Sequence, residues 1–262
     1  MNNTRCATIL IICLILVSCA SSQQRLAKER EKDPQYQYDK AVVCMKAGLA
    51  DEALKYLNQV LALDPRHALS WNLTGLAHMM KGNSQAAAEA FEKCLAITPN
   101  FSEGFNNLGI AYQQLGNMVK AEQNYKQAFA LDQNYNSSYN LAKIYFLKKD
   151  METALDYVQK SLQKYPRSIM ALNLQGLIYD EQGKLDDAIQ SYQQAQKLAP
   201  DELNVSYNLG VAFFKKEDYA RSQEIMEKIL KSLALASPDA QNQDLKAKTN
   251  EVLKRIKEAT KK

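Results

Sequence analysis

Between Asn106 and Asp132 the apolar residues fall three and four apart in two short runs, interrupted at Gly116 and Asn117. That spacing puts one apolar stripe on each of two helices and a tight turn between them. The same unit comes back before and after at a nearly fixed interval. Aligned on the small residue of the first helix, Ala41, Gly75, Gly109, Ala142, Gly176 and Gly210 are separated by 34, 34, 33, 34 and 34 residues. A period in this range predicts stacked helical hairpins rather than one globular core.

The second helix keeps the same step. Its small residues are Ala53, Ala87, Ala121, Ala154, Ala188 and Ser222, and four positions later stand Leu57, Phe91, Tyr125, Val158, Tyr192 and Met226. The units close on Pro65, Pro99, Gln133, Pro166, Pro200 and Ala234. Small residues of the two helices are expected to face each other, because only they let helix backbones approach to the lower end of roughly 8–10 Å. The large residue is expected to fill the space between hairpins, and proline to stop the second helix.

These positions resemble the tetratricopeptide repeat. The best matches are repeat two (Trp71, Gly75, Ala87, Phe91, Pro99) and repeat five (Gly176, Tyr179, Ala188, Tyr192, Pro200). Repeat six is degenerate, with Ser222 for alanine and no closing proline, and repeat one lacks the early aromatic residue. Atypical end repeats suit a stack whose ends face water. The resemblance implies an all-α, right-handed solenoid of six helix-turn-helix repeats, 34–67, 68–101, 102–134, 135–168, 169–202 and 203–236. A capping helix is expected over 237–262, where Leu245, Val252, Leu253 and Ile256 recur at helical spacing after Pro238 and Asp239.

Residues 1–18 read as a leader outside the fold. Arg5 precedes an uncharged, mostly apolar run of 11 residues, Ala7 to Val17, too short for a membrane-spanning helix of about 20. Leu16-Val17-Ser18-Cys19 resembles the lipobox of bacterial lipoproteins. That resemblance implies cleavage before Cys19, with a diacylglycerol and an acyl chain on Cys19 as membrane anchor. Ala20 and Ser21, in place of an aspartate, imply the outer membrane of a Gram-negative cell, with the body on its periplasmic side. Residues 19–33 are polar and read as a tether, at most about 50 Å long when extended. Asp33-Pro34 is a good helix start.

Composition then narrows the chemistry. A hydrophobic share of 46% supports a continuous core, and a net charge of +4, scattered among acids, does not argue for nucleic acid. The only histidines are His67, in an inter-repeat turn, and His78, where repeats three to six carry tyrosine or phenylalanine. No phosphate loop, HExxH or Gly-x-Ser-x-Gly occurs, so no enzyme, metal or cofactor is expected. Cys44 and Cys94 lack a disulfide or metal spacing and read as small buried hydrophobes.

The informative surface is the inner face of the first helices. Three positions before each small residue stand Tyr38, Asn72, Asn106, Tyr139, Asn173 and Tyr207. One position after it stand Val42, Leu76, Ile110, Lys143, Leu177 and Val211, and four after it Met45, Met79, Gln113, Phe146, Asp180 and Phe214. Two readings stay open. The rows are partly core, or they form a peptide groove in which Asn amides bond a peptide backbone and Met and Phe offer adaptable pockets. Lys143 alone does not make a carboxylate clamp. Six repeats behind a lipobox resemble the pilotin lipoproteins of type IV pilus systems (PilW/PilF/Tgl type), which implies an outer-membrane secretin subunit as partner. An adaptor for cell-wall enzymes and a structural subunit of another envelope complex are the alternatives.

Overall fold

The computed structural model describes residues 30, 33–235 and 239–261. Cys19, the leader, most of the tether and Pro238 lie outside the described residues. Among the described residues there are thirteen α-helices and no strand. They are α1 (Pro34–Lys46), α2 (Ala50–Leu63), α3 (Ala68–Met80), α4 (Ser84–Ile97), α5 (Ser102–Gln114), α6 (Met118–Asp132) and α7 (Tyr135–Leu147), followed by α8 (Met151–Lys164), α9 (Ile169–Glu181), α10 (Leu185–Leu198), α11 (Leu203–Lys215), α12 (Tyr219–Leu235) and α13 (Ala240–Ala259). None of them is long and apolar enough to cross a membrane. The chain divides into two compact units between Asn124 and Tyr125, inside α6.

Each hairpin starts and turns by local chemistry. Asp33 caps α1 by accepting from the Gln35 N–H at 3.0 Å, with Pro34 in the first helical position. The ring Nδ1 of His67 caps α3, accepting from the Ser70 N–H at 3.2 Å, which gives this turn histidine a structural task. Between the two helices of a repeat one residue must take a left-handed conformation. Gly48, Gly82, Gly116 and Gly183 do so with φ of 73–76°, and Lys149 and Glu217 hold the same place at φ 62°.

In the first unit, Phe91, Ala87, Ala88 and Leu95 of α4 form a core with Leu108 and Ala111 of α5. The expected meeting of small with small is only half of the joint. A Cβ on Gly75 would come closer than 3.0 Å to the Phe91 ring, so the glycine is there to admit the aromatic ring of its own hairpin.

In the second unit Gly176 admits Tyr192 in the same way, and a Cβ on Gly210 would lie 2.7 Å from the Met226 Cε. Where the first helix carries Ala142, the opposing large residue is the smaller Val158, in one core with Ala154, Ala171, Leu174 and Ile178. Joint size is thus balanced within the hairpins of repeats two, four, five and six. Ser222, at the alanine position of repeat six, donates its hydroxyl to the Gly210 carbonyl at 2.8 Å and stays fully buried. The 33-residue step has a local cause. Helix α6 runs 15 residues rather than 14, and only Gln133 and Asn134 link it to α7. Gln133, with φ 48°, turns the chain where repeats one, two, four and five use proline. Finally, Leu245, Val252 and Ile256 of α13 close over Met226, Ile229 and Leu233 of α12.

Candidate partner-binding face

In each unit the first helices of the hairpins supply the candidate face. In the first unit α1, α3 and α5 supply Tyr38, Asn72, Asn106, Leu76, Ile110 and Met79. Asn72 and Asn106 are buried, each 7% exposed, which corrects the picture of a row of amides open to a peptide. The Asn72 Oδ1 accepts from the Asn107 Nδ2 of the next repeat at 3.1 Å. Its oxygen is used to join repeats, because a buried amide left unpaired costs about 1–3 kcal/mol. Leu76 and Met79 pack one flank on the core of α4 and α5 and keep the other in solvent. Ile110 is half-buried, and Tyr38 packs its ring 5.2 Å from that of His67.

In the second unit α7, α9 and α11 supply Tyr139, Phe146, Asn173, Leu177, Tyr207 and Phe214. Asn173 repeats the Asn72 arrangement, its Oδ1 accepting from Asn208 Nδ2 at 2.9 Å. Tyr139 and Phe146 lean on the core that contains Leu174 and Ile178, and Leu177 leans on the core of α10 and α11. Tyr207 and Phe214 pack against the core that α13 completes, and Arg255 of that helix lies 4.8 Å from the centre of the Phe214 ring. The cap helix therefore borders repeat six as a further repeat would.

Asn107 and Asn208 were missing from the sequence reading of this face, although a signal existed. Asn72, Asn106 and Asn173 are each answered 34 or 35 residues later by Asn107, Asn140 and Asn208. Tyr38 and Tyr139 are answered by Leu73 and Leu174. Where the structure joins such residues, like meets like: Asn72 with Asn107 and Asn173 with Asn208 through their amides, and Tyr139 with Leu174 in one apolar core.

Electrostatically the face is mixed. Lys215 donates to both oxygens of Asp180 at 2.8 and 2.7 Å, and Lys149 donates to Glu181 at 3.0 Å. Burial pushes the Tyr139 hydroxyl above its ordinary range and holds the His78 imidazole below its own, with the Lys81 ammonium adding to the latter. Cys94 is buried and Cys44 half-buried, both as free thiols. Among the described residues no group of three or more His, Cys, Asp or Glu could hold a metal ion.

Models of the tetratricopeptide repeat match residues 38–100, 102–135, 137–168 and 203–232, and a model described as TPR repeat matches 176–217. A search of curated proteins found no match. Solved structures share the fold. PilW, described as a widely conserved type IV pilus biogenesis factor, superposes with a TM-score of 0.71 at 17% identity, over 78% of this chain and 95% of that one. PilF of Pseudomonas aeruginosa gives 0.61 at 18% identity, over 71% of this chain and 84% of that one. A chain of the APC/C hetero-tetramer Cut9–Hcn1 gives 0.72 at 19% identity, over 86% of this chain, which spans 44% of that one.

Proposed function

We propose a function from one premise: this chain belongs to the tetratricopeptide-repeat family, whose stacked hairpins are protein-binding scaffolds. Its inner face takes a protein partner, the outer-membrane secretin subunit of a type IV pilus system. Lipid on Cys19 holds it at the periplasmic side of the outer membrane, where it helps the secretin localise and assemble. The observation that carries this reading is the fold likeness to PilW, which accounts for 95% of that chain. The leader ending in Leu16-Val17-Ser18-Cys19 adds support, since acyl chains at that cysteine would anchor a body in which none of the described helices is long and apolar enough to cross a membrane.

Deleting the gene is expected to remove secretin multimers from the outer membrane and pili from the cell. Normal multimers and pili in the deletion strain overturn the reading, and cell-wall defects in their place point to an adaptor for cell-wall enzymes. Palmitate labelling is expected in the intact chain and lost in Cys19→Ser. Labelling that survives the substitution removes the anchor from the account.

A further inference from the structure

We propose that Lys143 is an anion-recognition site on the first-helix face of the second unit. It takes one side-chain carboxylate of a partner peptide, and Tyr139 and Phe146 take the apolar residues beside that carboxylate. The proposal rests on the reading above, that this face holds a protein partner, and adds the partner's chemistry.

The observation is an exception inside the chain. One position after the small residue, five repeats carry aliphatic side chains, Val42, Leu76, Ile110, Leu177 and Val211. Repeat four alone carries a lysine there. Its side chain is half-buried, and the ammonium lies 5.7 Å from the centre of the Tyr139 ring. The acids at the end of α9 are already engaged. Asp180 accepts from Lys215 at 2.7 Å, and Glu181 from Lys149 at 3.0 Å. Among the described residues Lys143 enters no ion pair.

The ring quadrupole offers this ammonium only a weak partner. The other five repeats fill the place with an aliphatic residue, so packing does not call for a charge there. A carboxylate from outside gives the ammonium a charge-assisted hydrogen bond. The Lys149 ammonium, 5.7 Å from the centre of the Phe146 ring, is already paired with Glu181, so Lys143 offers one compact ammonium, which suits a single carboxylate rather than the pair at a chain end. Tyr139 and Phe146 stand four before and three after Lys143, so all three share one face of α7. The bound segment therefore carries Asp or Glu next to an apolar residue.

The test uses the full chain on a cellulose array of randomised 12-residue peptides. Captured peptides are expected to be enriched in Asp or Glu next to an aromatic or aliphatic residue. Lys143→Leu should lower affinity for them about tenfold or more, flatten its salt dependence and leave the melting temperature unchanged. Lys143→Arg should retain most binding, and Lys143→Glu should shift capture toward basic peptides. Capture without acidic enrichment, no capture at all, or equal affinity of Lys143→Leu overturns the proposal. Acidic enrichment in a strain whose secretin assembles without the chain overturns the secretin reading and leaves Lys143 standing.

Discussion

Repeats two and four solve the same packing problem with opposite choices. Repeat two pairs Gly75 with Phe91, joins the next repeat through Asn72 and Asn107, and turns at Gly82. Repeat four pairs Ala142 with Val158, meets the next repeat through Tyr139 and Leu174, and turns at Lys149. In each, the two members of a contact suit one another, in size across the hairpin and in polarity between repeats, while their identities change. A tetratricopeptide hairpin therefore specifies pair volumes and pair polarity, not residues one at a time.

The strongest way to break this comparison is to cross the two solutions. Gly75→Ala drives a methyl into the Phe91 ring and should cost about 2–3 kcal/mol in denaturant unfolding. Adding Phe91→Val should return more than half of that loss, and a double variant no better than the single would sink the pair rule. Next in size is Asn107→Leu, which leaves the buried Asn72 oxygen without its donor and should cost about 2 kcal/mol. Asn72→Tyr in the same chain recreates the combination of Tyr139 and Leu174, so the double-mutant cycle should show positive coupling. Additive losses would mean the two positions do not read each other. The smallest effect sharpens the turn: Lys149→Gly relieves a left-handed lysine and should stabilise by about 1 kcal/mol. Gly82→Lys should destabilise by a similar amount, measured by the same unfolding midpoint.

The period was legible because repeat packing imposes one small, one large and one helix-stopping residue per 34 steps, and each class has few members. The face was less so. Helical spacing assigns its rows to one side of each first helix, yet spacing does not say how much of a side chain the neighbouring repeat covers. Asn72 looked like a peptide-binding amide because an exposed and a pinned asparagine have the same sequence. Tyr207 and Phe214 read as open, whereas α13 packs on them.

By itself the sequence determined the hairpins, their number and the size classes at each joint, since helix periodicity, turn glycine and proline act within a few residues of their own position. Tertiary structure decided which polar groups are consumed: the Asn72 and Asn173 oxygens by the next repeat, Asp180 by Lys215, the Phe214 face by Arg255. The reason is that desolvation and hydrogen-bond pairing depend on neighbours some 35 residues away, and no local pattern sums them. Lys143 stands out for the same cause, a charge whose repeats-wide context is apolar and whose nearby acids the fold has already paired.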